Sequence, residues 1–185
     1  MNKLTKNILI GVAAGLAASW IKSKAEPQLQ EIGEKIFPPR ADQLSLEGAD
    51  IKRQPENMPS AVLANSVYEE ITGKPLSRKA KINAMKCMYY TAGAGIGVMY
   101  VSVANPIKIL RKDNGAAAGA FAWGLTQGVI LPKSNWQSKV KKMPKSWWVW
   151  QLGSHLVYGV ALEQSRKILS GIFSINKIKK RKKDQ

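Results

Sequence analysis

The chain lacks charge over four separate stretches: residues 7–21, 87–107, 114–132 and 146–162. Three of them hold glycines four apart, as Gly11/Gly15, Gly93/Gly97, and then Gly115/Gly119 with Gly124/Gly128. An interior glycine costs a soluble helix roughly 1 kcal/mol against alanine. In lipid the same spacing opens a groove in which two helix backbones touch. The pattern predicts an all-α membrane helix bundle with those eight glycines at its helix contacts.

The uncharged runs are 15, 21, 19 and 17 residues long, and a spanning helix needs about 17 to 25. The first reaches that length if Lys6 and Lys22 snorkel at its ends. The predicted architecture is a single membrane domain over 1–185. It has four spans near 7–22, 86–107, 114–132 and 146–163, an extramembrane connection at 23–85 and a basic tail at 164–185. The mean hydropathy of −0.20 resembles a soluble average only because lysines separate the apolar blocks.

The connection is expected to carry two short interfacial helices, at 26–37 and 59–72, with loop between them. Pro38-Pro39 ends the first; Gly73 and Pro75 end the second. Ser77 is the expected N-cap of the next helix. A tight turn near 106–114 makes the second and third spans antiparallel. Four spans also gather Trp20, Tyr89, Tyr90, Trp136, Trp147, Trp148 and Trp150 on one side of the membrane, as an aromatic belt. An alternative reading makes the first stretch a signal peptide cleaved after Ser23-Lys24-Ala25, leaving a secreted basic protein. Trp20, Ile21 and the lysines at 22 and 24 argue against cleavage.

The net charge of +17 demands an anionic partner or solvation. Lysines 177, 179, 180, 182 and 183 with Arg181 follow a membrane helix directly. They are expected to grip anionic lipid head groups, with nucleic acid the unlikely choice. Lys3, Lys6, Lys108, Arg111, Lys112 and the basic tail favour a cytoplasmic location for both termini.

Gln151, His155, Gly159 and Glu163 recur every four residues on one face of the fourth span. With Gln127 of the third span they form a candidate intramembrane polar site. The bland reading is hydrogen bonding that fixes packing. The sharp one is a proton relay, although Glu163 lies roughly 12 Å along the axis from His155. Lys177, Lys179, Lys180, Arg181, Lys182 and Lys183 are the candidate head-group contacts. One cysteine, Cys87, and one histidine make a metal site unexpected, and no nucleophile stands beside a base. The expectation is no enzyme, no cofactor and no metal.

Three blocks resemble the YagU-type bacterial inner-membrane proteins. They are Gly11-Val-Ala-Ala-Gly15 with Lys22, Glu26 and Pro38-Pro39-Arg40; Gly115-Ala-Ala-Ala-Gly119-Ala120 with Pro132; and Gly153-Ser-His155-Leu-Val157-Tyr158 with Glu163 and Arg166. The sequence departs from that family in its long lysine tail and lysine-rich third loop. The resemblance implies a multi-pass protein of the bacterial cytoplasmic membrane without an established activity. The expected function is structural or accessory, with the bilayer, anionic lipids and copies of itself, through the glycine faces, as partners. A small transporter or proton-coupled channel using Gln127, Gln151, His155 and Glu163 is the alternative.

Overall fold

The computed structural model describes residues 2–104, 106–130 and 140–183. Trp136 and the lysines of the third connection before Val140 lie outside the described residues, as do the tail side chains from Lys177 onward. The described residues form six α-helices and no strand. These are α1 (Lys3–Ile36), α2 (Ala41–Leu44), α3 (Pro59–Thr72), α4 (Arg78–Val103), α5 (Ala116–Leu125) and α6 (Lys145–Lys183).

The side chain of Asn2 caps α1 by accepting from Thr5 N at 2.8 Å. This helix overturns one expectation. Residues 26–37 are not a separate surface helix but the continuation of the first, through Pro27, for 34 residues, or about 51 Å. The reason is one buried stripe of Gly11, Gly15, Ser19, Lys22, Glu26, Gln30 and Gly33. Its spacing of three to four keeps a single face against the same neighbours from end to end.

Ser77 caps α4 as expected, accepting from Ala80 N at 3.3 Å. Gly73 closes α3 with φ of 70°. After α4 a 3₁₀ segment, Lys108–Gly115, reverses the chain through three consecutive left-handed residues, Asp113, Asn114 and Gly115. The third expected span is shorter than predicted as α-helix. It is α5 followed by one π-helical stretch, Thr126–Ile130.

Glycines set the helix contacts. A methyl added at Gly15 would lie 2.2 Å from the carbonyl oxygen of Gly93, and one at Gly97 would lie 2.1 Å from that of Gly11. On the other side, Gly119 abuts the backbone of His155, and Gly115 abuts that of Gly159. Gly124 and Gly128, also expected at a contact, have no described residue within 4 Å of an added methyl. They fall where α5 ends and the π-helical turns begin.

The helices α1 and α6 run antiparallel. Lys6 Nζ sits 5.8 Å from the Phe173 ring centroid at one end, and Gly33 meets Ser146 at the other. Their register places the Gly119–His155 contact about ten residues beyond the Gly15–Gly93 contact, or about 15 Å along α1. The uncharged stretches therefore form two staggered pairs and not one level bundle. Among the described residues one helix, α1, is by length and composition apolar enough to cross a membrane. A second candidate is the bent pair of α4 with Lys108–Val129, which meet at 119°.

The stagger also dissolves the single aromatic belt. Trp20, Tyr89 and Tyr90 line one cleft. Trp147 and Trp150 are buried at the far end, in a second small core with Ala49, Val140 and Met143. There Trp147 Nε1 donates to the Gly48 carbonyl at 2.9 Å. The connection expected as loop is an ordered cap on this end. Gln30 Nε2 donates to Asp50 Oδ1 at 2.7 Å, and Lys52 N donates to Gln30 Oε1 at 3.1 Å. Arg53 bridges Glu34 and Asp50. Burial alone would raise the Asp50 carboxyl, but hydrogen bonds from Arg53 and Gln30 outweigh it and hold the group below the usual carboxylate range.

Candidate functional site: a polar cleft and a separate ion cluster

The fold splits the predicted polar stripe. Gln151 and His155 face a cleft of about 740 Å³ that Gln127 also lines. Glu163 does not reach it. Between His155 and Glu163 the α6 backbone at Gly159 touches Gly115 and Gly119, so the two ionisable groups belong to different sites. A direct His155–Glu163 relay is not formed.

The cleft gathers groups from the middle of α1, the first half of α4, the cap, the π-helical turn and α6. Its walls include Trp20, Tyr90, Met58 and Ile82. On one side sits an ion pair whose two residues the sequence did not offer as site residues, although both stand in the blocks that carry the family resemblance. Lys22 Nζ bonds Glu26 Oε1 one turn away, and both residues are buried. Tyr89 completes the group. Its ring lies 5.0 Å beneath Lys22 Nζ, and its hydroxyl donates to Glu26 Oε2 at 3.4 Å. The i,i+4 spacing of Lys22 and Glu26 was legible; their burial was not, because it depends on α4 lying across them.

On the other side Gln127 Nε2 donates to Gln151 Oε1 at 3.4 Å. This is the cross-helix partnership predicted from sequence. His155 Nδ1 lies 2.8 Å from the Gln151 carbonyl. A carbonyl only accepts, so Nδ1 carries the proton and Nε2 of the neutral ring is left as an acceptor. Gln127 Oε1 is buried without a hydrogen-bond partner among the described residues, an uncommon state for a buried polar atom. The cleft volume lies within the range of small-molecule sites, about 300 to 1,000 Å³. The arrangement suits hydrogen bonding to a donor-bearing guest. It offers no nucleophile–base pair, and the described residues hold no group of three metal-ligating side chains.

The second site surrounds Glu163, which is 1% exposed. Tyr100 Oη donates to its Oε2 at 2.8 Å. Arg166 donates to both carboxylate oxygens, at 2.6 and 2.8 Å. The carboxylate is thus saturated, and its proximity raises the Arg166 guanidinium further above its ordinary value. Tyr100 lies 63 residues from Glu163, a separation that no helical periodicity can bridge.

Compared with protein-family models, curated proteins and solved structures, the chain matches none.

Proposed function

We propose that this chain is a membrane-embedded, non-enzymatic accessory protein of the bacterial cytoplasmic membrane, held by its apolar helices and in contact with anionic lipid. One observation supports the reading above the others: the packing is inside out. The contact face of this part of α1 is Ile10 with the small residues Gly11, Ala14, Gly15, Ala18 and Ser19, whereas Ile8, Leu9, Leu16 and Trp20 are exposed. In α5 the buried residue is Gly119, and Phe121 is 64% exposed. A protein folding in water buries its large apolar side chains, and contiguous exposed apolar patches mark membrane or partner surfaces. The YagU-type resemblance points the same way.

Membranes washed with alkaline carbonate and high salt should retain the protein, because apolar burial and not charge holds it there. Release into the supernatant defeats the proposal. Cysteines placed singly at the helix ends, and tested for labelling from each side, count the crossings. The four-span topology requires four alternations, and the stagger of the two helix pairs argues for fewer.

A second reading, a small solute-binding protein or transporter, draws on the unpartnered Gln127 Oε1 in a cleft of ligand size. A proton leak in reconstituted vesicles that disappears on His155→Ala and Gln127→Leu favours it. Vesicles equally tight with and without those residues leave the accessory reading in place.

A further inference from the structure

The turn between α4 and α5 carries Lys108, Arg111 and Lys112, none of which forms an ion pair with a described residue. Charges so close in sequence repel one another and are usually just solvated. Here the fold adds two more cations from a distant segment. The same concavity, of about 510 Å³, is lined by Arg166 and Lys167 of α6.

The juxtaposition is built into the fold. Gly115 seats the end of the turn on α6, where an added methyl would lie 2.3 Å from the Gly159 carbonyl oxygen and 2.6 Å from Glu163 Cβ. Asn114 Oδ1 accepts from Lys167 Nζ at 3.1 Å. Tyr100 pins Glu163 from α4. The one carboxylate lining the concavity, Glu163, is engaged by Tyr100, Arg166 and, at 3.9 Å, Lys167, and its single charge is shared among five cations. Beside these charges, Ile107 is 45% exposed and Ile109 is 68% exposed. Cations next to bare aliphatic side chains match the boundary between head groups and acyl chains. The turn also follows the end of the uncharged stretch 87–107, where a membrane helix would leave the hydrocarbon.

We propose that Lys108, Arg111, Lys112, Arg166 and Lys167 form a discrete site for the phosphate of an anionic phospholipid head group, with Ile107 and Ile109 against the acyl chains. This inference rests on the membrane reading above and adds a defined lipid site to it, separate from the basic tail.

The test uses the full chain in a neutral detergent micelle. Binding of dioctanoyl phosphatidylglycerol is compared with that of dioctanoyl phosphatidylcholine and of inorganic phosphate. A neutral micelle has no surface potential, so the diffuse electrostatic contribution of the basic tail is small. The triple variant K108Q/R111Q/K112Q is expected to bind phosphatidylglycerol on the order of 100-fold more weakly. K179Q/R181Q/K183Q is expected to lose little. Unchanged far-ultraviolet dichroism confirms that the turn variant folds. Equal losses in the two triples, or no preference for phosphatidylglycerol over phosphatidylcholine, overturn the proposal. Inorganic phosphate binding as tightly as the lipid overturns it in favour of a free anion. Carbonate extraction is read separately, so a retained protein without lipid preference rejects this site and leaves the membrane reading standing.

Discussion

Substituting alanine for Gly15 places a methyl carbon 2.2 Å from the carbonyl oxygen of Gly93 and 3.0 Å from Ala94 Cα. All of these atoms belong to backbone, so no side chain can swing aside. The α1–α4 spacing must widen by about 1 Å, which forfeits a quarter to a half of each atom pair's attraction along the seam. Overpacking of this kind costs about 1–3 kcal/mol. The better helix propensity of alanine returns up to about 1 kcal/mol, leaving a net loss of about 1 kcal/mol. Two other glycines are internal controls. Added methyls at Gly95, on the same helix as Gly93, and at Gly124 of α5 meet no described residue within 4 Å. Gly95→Ala and Gly124→Ala should therefore be neutral or stabilising by up to about 1 kcal/mol. The three variants can be compared by unfolding the purified protein in mild detergent with increasing SDS, followed by circular dichroism. If Gly15→Ala is as stable as Gly95→Ala, the backbone contact between α1 and α4 does not exist.

Glu163→Gln strands Arg166, whose side chain is 13% exposed, without its counter-charge. It should destabilise by about 3–5 kcal/mol, and the double variant with Arg166→Gln should recover part of that in the same SDS titration. Trp147→Phe removes the donor to the Gly48 carbonyl and should lower stability by about 1–2 kcal/mol; Trp20→Phe, at an exposed position, should be nearly silent by thermal melting. The depressed Asp50 carboxyl stabilises the cap fully above its unfolded pKa of about 3.9, and that contribution is lost as pH falls through the lower folded value. The Trp147 and Trp150 fluorescence should therefore change below about pH 4, and an acid titration in which Asp50→Asn shows the same change as the unaltered chain would refute the assignment.

Local signals carried much of the fold. Ser77 and Gly73 announced a helix start and a helix stop through chemistry that acts within four residues. The glycine spacing announced backbone contact, and six of the eight glycines meet it. What the spacing lacked was a partner. Gly124/Gly128 has the same pattern as Gly11/Gly15 but meets no described residue, because contact depends on which helix lies opposite. The long α1 was hidden for a related reason. Lys22, Glu26 and Gln30 continue the stripe begun by Gly11 and Gly15, but their polarity reads as surface until partners for them are known. Those partners, Tyr89 and Asp50, come from other parts of the chain.

The register between helices explains the largest departure. Each uncharged stretch suits a span by length and composition, and four such stretches invite a level bundle. Antiparallel pairing of α1 with α6 from Gly33–Ser146 to Lys6–Phe173 fixes a different geometry. It sets the charged second half of α1 beside the uncharged first half of α6, and the Glu163–Arg166 pair beside the apolar first half of α1. The polar groups are then satisfied within and across helices: Lys22 with Glu26 and Glu163 with Arg166 along their own helices, and Glu26 by Tyr89 and Glu163 by Tyr100 from α4. Buried ion pairs of this sort contribute little net stability, but losing one partner is costly. Their consequence is for register. Slipping α6 by one turn against α4 would part Glu163 from Tyr100, and slipping α4 by one turn against α1 would part Glu26 from Tyr89, whereas glycine seams alone tolerate a slip of four residues, since the next glycine takes the place of the last. The glycines let the helices approach, and the two buried carboxylates decide where along their length they stop.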